Sequence, residues 1–164
     1  MKLKIVTFGI LLCLFCIVPV SADEFYNCGP VVNIDYPSGR ELTLVNNEDS
    51  HCGTYDEVID LVEADTTDEN QYILDSYNCG EFTRDLHNVA ENSKIKCTYV
   101  IIYFRESAHA LCMFPLNDGT NLFIDAQSDG IARVEDGEHY QVWKAGENDC
   151  VFEYDIITSA NFYE

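Results

Sequence analysis

Tyr77-Asn78-Cys79-Gly80-Glu81-Phe82-Thr83-Arg84-Asp85-Leu86 is the stretch on which the reading of this chain turns. Asn78 is a strong helix N-cap, and Glu81 stands three positions later, as a capping box requires. Phe82, Leu86, Val89 and Ala90 then recur at helical spacing, so a buried helix is expected to begin at Cys79. A cysteine in the first turn meets unpaired backbone N–H groups and the positive end of the helix dipole. Both favour the thiolate, the nucleophilic form. The same position also suits a small buried hydrophobe or one half of a disulfide. Cys79 becomes a candidate nucleophile only through partners elsewhere in the chain.

Upstream, Met1-Lys2-Leu3-Lys4 leads into an apolar run from Ile5 to Val20 that ends at Val20-Ser21-Ala22 before Asp23-Glu24. A basic start, a short apolar core and small residues at the break are the outline of a secretory signal peptide cleaved after Ala22. The run is short for a membrane-spanning helix, so membrane attachment is expected only if this segment stays uncleaved. Residues 1–22 are read as signal and 23–164 as one domain, secreted or held at the cell surface. Cleavage removes Lys2 and Lys4 but no acid, leaving seven basic against 29 acidic residues, a net charge of about −22. Such a field repels nucleic acid and anionic membranes and favours cationic ligands. With 47% hydrophobic residues the chain still has material for a core.

Six cysteines follow the signal: Cys28, Cys52, Cys79, Cys97, Cys112 and Cys150. Export permits disulfides. Cys28 with Cys52 is the favoured bridge, because both flank polar loops and neither belongs to a candidate catalytic element. Folding the strands about Glu106 sets Cys97 opposite roughly Pro115, about three residues from Cys112, which argues against that pair.

Short apolar pieces at Val31–Ile34 and Leu42–Val45 predict one or two edge strands. Thr54-Tyr55-Asp56-Glu57 is a capping box opening a helix to about Ala64. Asp65–Glu69 can cap a second, shorter helix through Tyr72, Ile73 and Tyr77 into the Cys79 helix, which Ser93 closes. After Lys94 the period turns extended, with runs at 97–104, 108–116, 121–126, 140–143 and 151–158, a turn at Asn117-Asp118-Gly119-Thr120, and a loop over Asp129–Glu138. The expected fold class is therefore α+β, with N-terminal helices packed on an antiparallel β-sheet.

A cysteine nucleophile needs a base, and the base needs a group to fix its tautomer. His51 lies in a polar loop, His139 starts a late strand, and His87 is eight residues along the helix, roughly 12 Å from Cys79. His109 differs: it follows the Arg105-Glu106-Ser107 loop and sits between two alanines at a strand start. The next strand ends in Phe123-Ile124-Asp125-Ala126-Gln127, where an unpaired aspartate would be costly. A tight hairpin over Asp118-Gly119 pairs position 109 with about 128, leaving Asp125 some three positions from facing His109.

These three segments, Tyr77–Phe82, Ser107–Ala110 and Phe123–Gln127, in the order Cys, His, Asp, resemble the transglutaminase-like branch of the papain-like cysteine enzymes, in particular secreted archaeal members. The similarity runs from about Thr54 to Asp129. It implies a papain/transglutaminase-like core in which Cys79 is the nucleophile, His109 the base and then acid, and Asp125 the orienting carboxylate. It further implies acyl transfer at amide or peptide bonds of a protein or peptide substrate, with no cofactor. The Cys79 N–H would serve the oxyanion, and Gln71 is the candidate for a second donor.

Two other readings remain open. Fold resemblance does not establish catalysis, so a catalytically silent extracellular binding domain is the alternative. Asp125, Gln127, Asp129 and Gly130 also fall at positions one, three, five and six of an EF-hand-like loop, but Gln127 and Asp136 break its pattern and its surroundings read as strands. No closely spaced cysteine pair after the signal supports zinc.

Overall fold

The computed structural model describes residues 24–26, 30–35, 40–146 and 149–164. The expected signal segment, residues 1–22, lies outside them, as does Cys28. The elements in chain order are β1 (Glu24–Tyr26), β2 (Val31–Asp35), β3 (Glu41–Val45), α1 (Tyr55–Ala64), a 3-10 turn at Thr67–Glu69, α2 (Cys79–Asn92), β4 (Thr98–Tyr103), β5 (Ala108–Pro115), β6 (Asn121–Asp125), β7 (Gly130–Arg133), β8 (His139–Trp143), β9 (Cys150–Ile156) and β10 (Ser159–Tyr163). One sheet runs β1-β10-β4-β5-β6-β7-β8-β9, antiparallel throughout except that β1 lies parallel to β10. β2 and β3 form a separate hairpin.

Alternation along β5 explains the layering. Ala110, Cys112 and Phe114 point to one face and Leu111 and Met113 to the other. On the first face lie α1, through Val58 and Val62, and α2, through Phe82, Leu86 and Ala90. The hairpin lies beside them, burying Val32, Ile34, Leu42 and Leu44 against Cys79, Tyr99 and Ile101. The second face is filled by the sheet's own strands, with Ile157 and Ala160 sharing a cluster with Leu111, Tyr140 and Val142. Burying each such side chain contributes ~1.5–3 kcal/mol.

The expected α+β fold, with N-terminal helices as the layer on an antiparallel sheet, is corrected. Among the described residues the molecule is mostly β, ten strands to two α-helices. The N-terminal part supplies strands as well as helices, because the pieces around Val32 and Leu44 alternate with period two and pair with each other. Residues 70–77, expected to be helical, form a loop closed by two bonds between Ile73 and Tyr77, N–H to C=O at 2.7 and 2.8 Å. Tyr72, Ile73 and Leu74 stand exposed there, so the apolar run never forms a buried stripe. Within the expected Asp129–Glu138 loop, β7 pairs with both neighbours; its four residues between turn residues are too short to show a period.

α2 is built as its cap dictates. Asn78 Oδ1 accepts from Gly80 N at 3.0 Å, and Glu81 accepts from Asn78 N at 2.9 Å. Glu81 is buried and ion-paired to Arg40 at 2.7 Å. The buried face carries Thr83, His87 and Glu91 as well as the apolar residues, whereas Val89 is exposed. Glu91 accepts from Cys97 N and Asn47 N, each at 2.8 Å, and from the Ser50 hydroxyl at 2.7 Å, which locks the helix end to the strands on either side.

Candidate functional site

The loop between β5 and β6 sets the geometry. Leu116 N–H donates to Thr120 C=O, which leaves three residues, not two, in the turn, with Gly119 at φ +86°. Pairing is thereby Cys112 with Ile124 and Met113 with Phe123, one residue from the expected register. Continued, this register sets Asp125 across from Leu111, on the face that His109 shares. The expected register would have set Asp125 across from Cys112, on the opposite face. The β5–β6 ladder ends at Cys112, so His109 and Asp125 meet where the two strands part.

There His109 Nε2 lies 2.9 Å from Asp125 Oδ2. The same carboxylate oxygen accepts from the Tyr140 hydroxyl at 2.6 Å, and Oδ1 accepts from Gln127 N at 3.0 Å. The Cys79 side chain lies close enough to His109 for its hydrogen bonding and charge to help hold the ring's pKa up. α2 delivers Cys79 there because its first turn is anchored over the start of β5: Cys79 packs with Ala110, and the Cys112 thiol donates to Thr83 C=O at 3.4 Å. The structure thus brings together Cys79, His109 and Asp125.

Electrostatics follow from these contacts. Burial works against the charged imidazole, but the hydrogen bonds and charges of Asp125 and Cys79 outweigh it and hold the His109 pKa up at about 10, against 6.5 for a free ring. Burial also works against charge on Asp125, and His109, Tyr140 and the Gln127 N–H overcome it, so its pKa falls below the usual carboxylate value. Burial and the Asp125 charge push Tyr140 well up, keeping it a donor. Nearby, burial and the charges of Asp68, Asp65 and Asp125 raise Asp129 to about 7. The surroundings of the imidazole are strongly negative.

The remaining expected residues fall elsewhere. Gln71 is exposed on the loop that carries Tyr72. Cys52 is an exposed thiol, which corrects the expected Cys28–Cys52 bridge at its described end. Cys97 falls opposite Phe114 by the β4–β5 register, two residues from Cys112 and on the same face, and burial together with the neighbouring Cys112 thiol pushes its pKa well up. Asp125 to Gly130 is a β-hairpin connection, not a loop between two helices. Sequence reasoning missed Tyr140, the second donor to Asp125; a single tyrosine in a strand carries no signal of its own.

No family model matches the sequence, and no curated protein matches it. Among solved structures, one match is a Polyporus squamosus lectin bound to a human-type influenza-binding epitope, Neu5Aca2-6Galb1-4GlcNAc, at 14% identity and a TM-score of 0.43, covering 56% of this chain and 35% of that one. Another is described as a PSL1a-E64 complex, at 14% identity and a TM-score of 0.45, covering 71% of this chain and 40% of that one. The chain therefore spans well under half the length of the chains it matches. These findings correct the transglutaminase-like and cysteine-protease assignments, which no family model carries. The likeness assigns no ligand or activity to this chain. What stands is the local arrangement of thiol, imidazole and carboxylate.

Proposed function

We propose that this chain is a thiol-dependent acyl-transfer enzyme acting on amide bonds of a protein or peptide substrate, outside the cell or at its surface. The observation that carries the reading is the His109 ring, hydrogen-bonded to Asp125 at 2.9 Å and close enough to Cys79 for the thiol to raise its pKa. Cys79 Sγ, with its proton on His109, attacks the carbonyl carbon and an S–C bond forms. The backbone N–H of Cys79, in the first turn of α2, is assigned to the developing oxyanion, with Gln71 as the candidate second donor. As the C–N bond breaks, the imidazolium gives its proton to the leaving amine. Water or a second amine then loses a proton to His109 and attacks the thioester, returning the electron pair to sulfur. Asp125 keeps the ring oriented and stabilises its positive form throughout.

A binding domain without chemistry is the second reading, favoured by the half-exposed rings of Tyr72, Phe152 and Tyr154 around the same site. Mass spectrometry after brief exposure to an activated ester such as p-nitrophenyl acetate separates the two. The enzyme reading expects one acetyl group on Cys79, released on standing, and none at that position in Cys79→Ala. A wild-type Cys79 that stays unacylated overturns it in favour of the binding domain.

A further inference from the structure

Beside the triad lies a cavity of about 510 Å³ that opens on His109. Its walls are Tyr72 from the loop before α2, Phe104 after β4, Tyr140 and Val142 from β8, and Phe152 and Tyr154 from β9. Four of the rings form a continuous surface: Phe104 and Tyr154 meet edge to face at 4.9 Å, Phe152 and Tyr154 stack at 6.1 Å, and Tyr140 and Phe152 meet edge to face at 6.4 Å. Tyr72 is 46% exposed, Phe152 50% and Tyr154 47%. Aromatic side chains left half in water around a cleft that also carries a few hydrogen-bonding groups are the build of a ligand pocket.

We propose that this cleft is the specificity subsite for a bulky apolar side chain of an extended peptide, neutral or cationic, that presents its carbonyl to Cys79. The proposal rests on the acyl-transfer reading above and names its substrate class. Three observations support it. The size and lining suit one aromatic or long aliphatic side chain. Next, β9 is the last strand of the sheet among the described residues, and its outer edge offers backbone groups to a strand laid alongside, the mode by which extended peptides add to sheets. Finally, charge selects the occupant: Asp65, Asp68 and Asp129 cluster beside the rim residues Gln127 and Ser128, on a chain of net charge −20. An anionic peptide is repelled and a lysine next to the apolar side chain is attracted.

The test uses Cys79→Ala, which can hold a peptide without turning it over. Calorimetry compares N-acetyl-Lys-Phe-Gly-Lys-amide with the same peptide carrying Gly for Phe, and with one carrying Glu for both lysines. The Phe peptide is expected to bind at least about tenfold tighter than either, and Phe152→Ala on the same background should shrink the Phe over Gly preference to about threefold or less. Phe152 is half exposed, so its truncation leaves the core alone. Equal binding of the Phe and Gly peptides, a preference untouched by Phe152→Ala, or displacement of the Phe peptide by a neutral oligosaccharide would overturn the subsite. In the wild type, turnover of the Phe and Gly peptides at equal kcat/KM overturns the subsite while sparing the chemistry. The expected binding order in Cys79→Ala, with no turnover in the wild type, removes the acyl-transfer reading and leaves the subsite standing.

Discussion

Asp125 accepts three hydrogen bonds, from His109, Tyr140 and Gln127 N, and they serve different ends. The bond to His109 fixes the ring, so Asp125→Asn, which can donate where the aspartate accepts, should lower kcat by about 10²–10⁴-fold with little change in KM. Tyr140→Phe removes one neutral donor and leaves that geometry; a fall of about three- to tenfold is expected. Both are read from steady-state kinetics on one peptide amide. The His109 pKa, raised from 6.5 to about 10 in the folded protein, also ties stability to pH. The folded state holds the proton where the unfolded chain has lost it. The stabilisation is therefore complete below about pH 6.5 and drains away as pH rises through about 10. Urea midpoints across that window should fall more steeply for the wild type than for His109→Gln.

At the scale of elements, the site depends on where strands end. Gly130 faces Asp125 at the start of β7, and a Cβ there would lie 2.2 Å from Val142 Cγ1 and 3.1 Å from Trp143 O. Gly130→Ala must push β8 away, and with it Tyr140; a loss of ~1–3 kcal/mol in urea denaturation is expected, together with reduced activity. Asn78→Ala removes the cap of α2 and should cost ~1 kcal/mol. The start of α2 was legible because capping is local: Asn78, Glu81 and the first apolar residue, Phe82, lie within four positions of one another. His109 and Asp125 were legible as types out of place, a histidine between alanines and an acid closing an apolar strand. Their facing was not, because one residue more in the 117–119 turn reverses which face Asp125 presents. The helical reading of residues 70–77 fails for a related reason: their apolar residues have near-helical spacing, but Tyr72 lines a cleft and Leu74 faces solvent, so no buried stripe forms.

The whole molecule adds a field. With net charge −20 and aspartates near the site, capture of cationic peptides should weaken as salt is added, whereas a neutral peptide with the same apolar side chain should be nearly indifferent. Between ionic strengths of about 0.05 and 0.5 M, kcat/KM for the first is expected to fall several-fold. Among the described residues no helix is long and apolar enough to cross a membrane. The mostly β architecture supplies the scaffold, with α2 and the β2–β3 hairpin holding the thiol against one end of a sheet whose strands part around the imidazole. The most direct test is the rate at which iodoacetamide modifies each cysteine at pH 6, followed by peptide mass spectrometry in the wild type and in His109→Ala. An imidazolium held against the sulfur predicts Cys79 at least about tenfold faster than the exposed Cys52, with the advantage gone in the variant. A Cys79 no faster than Cys52, or one indifferent to the loss of His109, would contradict the account.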